Sequence, residues 1–222
     1  QTEAAAELTI AMIFNCCRKW SRANRQLQKG QWERSLLLGK QVSGQSLGII
    51  GLGRVGSRVA QKAQALGMNV SAYDPYIENE LSGVTMLGFE EMMRTMDIVS
   101  LHVPKTQETF QMIKKETLQW MNTEGILINM ARGDVINEID LIEHLVEHPQ
   151  FAAGLDVFAK EPLSLKSRLL ELPNVCLSPH IGASTDSALR ESSKVAVEKI
   201  QSLLKGDTPA GELPPQAGWW KD

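Results

Sequence analysis

LGIIGLGRVGSRVAQKAQALGMNVSAYD, residues 47–74, changes its hydrophobic period twice. The apolar run 47–50 runs straight into Gly51-x-Gly53-x-x-Gly56. Val59, Ala60, Ala63 and Leu66 then fall on one side of a helix, Gly67 stops it, and a second short strand over 70–73 ends on Asp74. Strand, turn, helix, strand and acid is the order of a dinucleotide-binding βαβ unit. Gly51 permits the tight turn, Gly53 lets the backbone approach a pyrophosphate, and Gly56 lets the helix pack close to the strand. The helix N-terminus offers free N–H groups and partial positive charge to phosphates. Asp74 is placed where a carboxylate can accept both ribose hydroxyls.

Outward from this stretch, strands and helices keep alternating. The pattern gives helices over 89–96, 115–121, 141–146 and 184–204, the last stopped by Lys205-Gly206, and strands over 98–101, 126–129, 152–157 and 175–177. Such alternation predicts an α/β fold, a doubly wound parallel sheet. Upstream, 4–28 reads as one long helix with Ile10, Ile13, Phe14, Cys17 and Leu27 on one side and Leu8 and Met12 on another. Its first half is apolar nearly all round and is expected to be buried on more than one face. The segment 30–44 reads as a connection anchored by Trp32 and by 36–38. The Pro- and Gly-rich tail after Gly206, with Trp219 and Trp220, is expected to be extended.

A chain of 222 residues, 43% hydrophobic and 22% charged, can bury a large core, and its net charge of −3 gives no case for nucleic acid or a membrane. No apolar run is long enough to span a bilayer. Three cysteines, Cys16, Cys17 and Cys176, lack framework spacing and read as reduced thiols of a cytoplasmic protein. The chain opens at Gln1, already inside a helical pattern, so part of the native N-terminus is expected to be missing.

In an open α/β sheet, ligands bind beyond the carboxyl ends of the strands. The residues there are Asp74, Val103-Pro104, Met130-Ala131-Arg132, Asp156 and Ser178-Pro179-His180. The planar fork of Arg132 suits a carboxylate or carbonyl oxygen; a surface pair with Asp134 is the alternative. His180, fixed by Pro179 and followed by Gly182, has a side-chain type that exchanges protons near neutrality, with a reference pKa of roughly 6.5. Lone loop histidines are more often structural, but Glu161 can pair with this one and orient it. His144 and His148 read as lying on an exposed helix face, and His102 has no evident carboxylate partner. Nothing has metal-ligand spacing.

The motifs AAELTIAMI, LGIIGLGRVG with YDP, LHVP, NMARGDVINE, AGLDVFAKEP and SPHIGAST, in this order, resemble the NAD-dependent D-isomer-specific 2-hydroxyacid dehydrogenases from Ala4 to about Gly206. The 32–56 region looks most like the D-3-phosphoglycerate dehydrogenases. The resemblance implies that Arg132 binds and polarises the carboxylate and keto group of a small 2-hydroxy or 2-oxo acid. It implies His180 as general acid/base and Glu161 as its partner. It places NAD against Gly51, Gly53, Arg54, Val55, Gly56, Asp74, Val103, Pro104, Met130, Ala131, Arg132, Asp156, His180, Gly182 and Ala183. Glutamate rather than glutamine at 161 argues against formate oxidation. The family carries roughly a hundred further N-terminal residues, a substrate domain of ordinary size, expected to be absent here. The expected division is therefore a cofactor domain, 1–185, and a C-terminal helix and tail, 186–222. A homodimer that buries the segment around Ile10, Ile13 and Phe14 is expected. Corepressors of the same family keep these residues, so an NAD(H)-sensing binding protein is the alternative.

Overall fold

A computed structural model describes residues 1–77 and 81–206; the tail and its two tryptophans lie outside the described residues. Two compact units are present, Thr2–Gly182 and a second that begins at Ala183. The first holds seven parallel strands: β1 (Ser46–Ile50), β2 (Asn69–Tyr73), β3 (Thr85–Met86), β4 (Ile98–Leu101), β5 (Ile126–Asn129), β6 (Ala152–Leu155) and β7 (Val175–Leu177). Their order is β3-β2-β1-β4-β5-β6-β7. The chain runs outward from β1 to β2 and β3, then crosses back to β4 and proceeds the other way. This reversal places a crevice at the carboxyl end of β1. β4 and β5 are buried at every residue, as strands covered on both faces must be.

Two helical layers supply that cover. On one face α1 (Thr2–Arg18) packs on α3 (Arg54–Ala65) and against β5 and β6, around Met12, Ile13, Val59, Ala63, Ile49 and Ile128. On the other, α4 (Phe89–Thr95), α5 (Lys115–Leu118) and α6 (Glu138–Glu147) enclose Met92, Leu118, Leu141, Leu145, Phe151 and Leu127. Each fully buried Leu, Ile, Met or Phe contributes about 1.5–3 kcal/mol relative to exposure. The second unit begins with α7 (Asp186–Leu204), where the Thr185 hydroxyl accepts the Ala188 N–H. Leu189, Val197, Ile200 and Leu204 are exposed along it.

Four expectations are corrected. The helix over 4–28 is two helices, α1 and α2 (Trp20–Gln28). Lys19 between them is left-handed at φ 53°, and the Asn15 side-chain Oδ1 accepts the Ser21 N–H at 2.9 Å, re-aiming the chain. Hydrophobic periodicity continues across the break, so it carries no sign of it. Leu27 is consequently exposed rather than part of the α1 face. Trp32, Leu36 and Leu38 are exposed too. That segment is held by backbone instead, with Gln31 N–H on Gln26 O and Lys40 N–H on Cys17 O. His144 is not on an exposed face: Asn137 caps α6 so that Leu141, His144 and Leu145 form its buried stripe, and His148 is half-buried. Finally, Ile13 is buried within the chain's own core and is not free to line an interface, whereas Phe14 is exposed.

Candidate active site

The β1 turn has the shape its glycines imply. Gly51 sits at φ 94°, and a Cβ there would lie 2.7 Å from the His102 carbonyl oxygen. A Cβ on Gly56 would overlap the Gly51 carbonyl, whereas one on Gly53 would meet nothing within 4 Å. Gly53 caps α3 without a side-chain cap, so the N–H groups of its first turn, at Arg54, Val55 and Gly56, keep no partner from a capping side chain. An open cradle before uncapped helical N–H groups fits a pyrophosphate. Asp74 stands just beyond β2. Its Oδ2 accepts the Leu52 N–H at 2.9 Å and its Oδ1 the Tyr76 N–H at 3.0 Å. Each oxygen retains a lone pair that a ribose hydroxyl can use.

The loops after β5, β6 and β7 bring a second group together. Glu161 Oε2 lies 2.7 Å from His180 Nδ1, and Glu161 Oε1 accepts the Phe158 N–H at 3.1 Å. Burial alone would raise the Glu161 carboxyl. The His180 hydrogen bond, the Phe158 N–H and the positive charge of His180 and Arg132 outweigh it and hold the carboxyl below its usual range. His180 is left-handed at φ 54°. Its Nε2 has no protein partner among the described residues, so that nitrogen is available to a substrate. Arg132 is exposed and its Nη1 donates to the Ala131 carbonyl. The alternative pairing does not form, because Asp134 is held by Lys105 at 2.9 Å.

Asp156 is buried and its carboxylate is filled from within. It accepts the Ser178 hydroxyl, the Ile181 N–H at 2.9 Å and the Gly182 N–H at 2.8 Å. A Cβ on Gly182 would lie 3.1 Å from Asp156 Oδ2 and 3.4 Å from Met130 Cε, so these three positions adjoin. Val103 is half-buried and Pro104 exposed beyond β4; Ala131 is buried beyond β5. Ala183 opens the second unit.

Two supports are missing from the sequence reading. A Cβ on Gly133 would overlap the Phe158 carbonyl. The β5 and β6 loops therefore meet backbone to backbone, which brings the charge of Arg132 within range of Glu161. Buried Asn129 ties the same loop, donating to Arg132 O and accepting the Ala131 N–H, each at 3.0 Å. A polar residue closing a wholly apolar strand, followed three residues later by Arg-Gly, is the signal for both.

Nothing else among the described residues competes as a reactive centre. Burial pushes the Cys17 thiol up to about 11, and Cys16 and Cys176 are raised as well. Among the described residues, no group of three His, Cys, Asp or Glu side chains could hold a metal ion. No described helix is long and apolar enough to cross a membrane. A small cleft of about 80 Å³ lined by Cys16, Lys40, Ile126, Ala152 and Cys176 opens at the amino ends of β5 and β6, the opposite edge of the sheet.

Residues 10–182 match the family model described as D-isomer specific 2-hydroxyacid dehydrogenase, NAD binding domain. The chain belongs to that family. Among its relatives, the D-3-phosphoglycerate dehydrogenase of Archaeoglobus fulgidus is 39% identical over 208 residues, 92% of this chain and 40% of that protein. The hydroxypyruvate reductase of Thermotoga maritima is 40% identical over 204 residues, 91% of this chain and 66% of that protein. Among solved structures, the D-lactate dehydrogenase of Aquifex aeolicus, complexed with NAD and lactic acid, superposes with a TM-score of 0.84 at 33% identity, covering 93% of this chain and 68% of that one. As a dehydrogenase NAD-binding domain, the chain spans about 40% of the length of the phosphoglycerate dehydrogenases it matches. The seven-stranded parallel sheet and the 51–56 turn are the parts that this family match accounts for directly.

Proposed function

We propose that this chain carries the cofactor groove and the proton-transfer pair of an NAD-dependent oxidoreductase that interconverts a small 2-hydroxy acid and its 2-oxo acid. The observation that carries the reading is the 2.7 Å contact between Glu161 Oε2 and His180 Nδ1, at the same sheet edge as the 51–56 turn. When bound, NAD supplies the acceptor for the hydride on C2. The residues of this chain do the rest. Arg132 holds the substrate carboxylate and polarises the keto oxygen. His180, oriented through Nδ1, takes the hydroxyl proton at Nε2 in oxidation and returns it in reduction. Glu161 stays ionised and steadies the charged imidazole. Asp74 favours NAD over NADP, since a 2′-phosphate would meet its charge. In this reading residues 1–185 are the cofactor domain and 186–222 face the substrate domain.

The likeness to D-3-phosphoglycerate dehydrogenases supports 3-phosphoglycerate as the first substrate to try. Exposed Phe14, Trp20 and Trp32 support a homodimer formed around α1 and α2 rather than through Ile13. Three free thiols are in keeping with the cytoplasm. The test is turnover of the full-length protein at saturating NADH with phosphohydroxypyruvate, hydroxypyruvate, glyoxylate and pyruvate. At least one is reduced. His180→Ala lowers that rate by roughly 10²–10⁴-fold and leaves NADH affinity intact. Reduction of none of them, with NADH instead changing the oligomeric state, overturns the reading in favour of an NAD(H) sensor.

A further inference from the structure

β2 and β4 flank β1 in the sheet, so the loops that follow them stand on either side of the 51–56 turn. The loop after β2 is pinned where the Tyr76 N–H meets Asp74 Oδ1 at 3.0 Å. The loop after β4 is stiffened from inside. Thr109 Oγ1 donates to the Pro104 carbonyl at 2.6 Å and accepts the Thr106 N–H at 2.8 Å, and Thr106 Oγ1 accepts the Thr109 N–H at 3.2 Å. Lys105 ties its base to Asp134 at 2.9 Å. The two loops then join: the Tyr76 hydroxyl donates to Glu108 Oε2 at 2.7 Å. By the strand order this bridge crosses the carboxyl end of β1, on the side where Asp74 stands.

Tyr76 is 77% exposed, so apolar burial does not explain why its ring lies there. What the bridge achieves is to hold a carboxylate at the groove mouth. Asp74 and Glu108 touch opposite ends of one tyrosine, and neither has an ion-pair partner among the described residues. The phenol registers both: the hydrogen bond to Glu108, its charge and that of Asp74 all raise it above its usual range.

We propose that Glu108, held over the groove by Tyr76, is a second specificity-determining carboxylate that acts with Asp74 to reject a ribose 2′-phosphate. The proposal rests on the cofactor reading above. The two acids have different duties. Asp74 both bonds the ribose and repels a phosphate, so its loss weakens NAD as well. Glu108 acts by charge alone, across a solvent-exposed gap, so its effect on a phosphorylated ribose is screened by salt, and an uncharged ribose does not feel it. Discrimination is thereby shared by the loops on both sides of β1.

The experiment is fluorescence titration of NADH and NADPH into the full-length protein, unaltered and as Glu108→Gln, Tyr76→Phe and Asp74→Ser, at low and high salt. Glu108→Gln tightens NADPH by about five- to tenfold at low salt and by less at high salt, and leaves NADH within about twofold. Tyr76→Phe, which keeps both charges but frees Glu108 to swing into water, gives a smaller gain of the same sign. Unchanged NADPH affinity in Glu108→Gln, with a gain in Asp74→Ser, overturns the proposal and leaves the cofactor reading standing. No binding of either dinucleotide by the unaltered protein overturns both. Unchanged NADH affinity in Glu108→Gln also reports an intact groove, so a gain in NADPH there cannot come from misfolding.

Discussion

The 51–56 turn and the Arg132–Glu161–His180 cluster lie at the same edge of the sheet, yet one is built from six consecutive residues and the other from three loops. The turn closes through its own backbone. Gly51 takes the left-handed conformation, Gly56 lies against Gly51, and α3 starts at the next residue after Gly53. The cluster has no such local source. Arg132, Glu161 and His180 follow β5, β6 and β7 in turn; Glu161 pairs with His180, Gly133 lets the loop of Arg132 touch the loop of Glu161, and Asp156 gathers the third. The phosphate-sized cradle is thus a property of a short motif, and the Glu161–His180 pair is a property of the tertiary fold. Substitutions in the two places should fail differently.

Gly133→Ala is the largest test of that difference. Its Cβ would have to occupy the space of the Phe158 carbonyl, so the β5 and β6 loops must part. A cost of about 2–4 kcal/mol in stability is expected. Turnover should fall by at least about tenfold as Arg132 leaves Glu161. NADH affinity of the folded fraction should hold, because the turn is not touched. Thermal melting, steady-state kinetics and NADH titration on one preparation check all three. A loss of NADH affinity as large as the loss of turnover would mean that the halves are not separable.

Glu161→Gln probes the cluster with its packing left in place. Glutamine can still accept the Phe158 N–H or the His180 Nδ1–H, but it brings no charge to the imidazolium. In the reduction direction kcat/KM should drop severalfold, most steeply on the alkaline side of the profile. NADH affinity should stay where it is. An unchanged profile would leave Glu161 as a brace for the Phe158 loop and remove it from proton transfer.

The same division explains what could be read from the sequence. The β1 turn, the helix after it and the site of Asp74 follow from period and glycine spacing within 28 residues, and the parallel sheet from the alternation that continues to residue 177. The strand-end rule brings the residues of the cluster to one edge, but not into contact. The contact depends on Gly133 against Phe158 and on Asn129 within its loop, pairings across chain segments for which local patterning has no term. The bend at Lys19 escapes for a related reason. It is made by the Asn15 side chain accepting from the Ser21 N–H six residues on, in a stretch whose apolar period never falters. His144 misleads because polarity suggests the surface, whereas the phase set by the Asn137 cap turns it inward.

Two histidines outside the cluster, half-buried His102 beyond β4 and buried His144 on α6, should be told apart by acid. Burial lowers His102, beyond β4, to about 4, and burial likewise lowers His144, on α6, to about 4. In the unfolded chain both titrate near the reference of about 6.5. Between those values the unfolded state binds more protons, so stability rises with pH through this window. The contribution is fully present above about pH 6.5 and is lost as pH falls through 4. It is about 1–3 kcal/mol for each histidine. His144 Nε2 has no hydrogen-bond partner in the described structure, and its ring packs edge-on to Phe151 at 4.6 Å between centroids. His144→Phe should therefore flatten the dependence of urea stability on pH between 6.5 and 4 without cost at pH 8, and should leave NADH binding alone. His102 is different. Its Nδ1 also lacks a partner in the described structure, but its Nε2 shares a hydrogen bond with Ser100 Oγ at 2.9 Å and its carbonyl backs Gly51. His102→Gln should flatten the same window but also weaken NADH by about threefold, since a shift of that carbonyl moves the turn by which phosphates are held. If the two variants proved alike in NADH affinity, His102 would be no part of the turn's support, and the motif would be even more self-contained than its neighbours suggest.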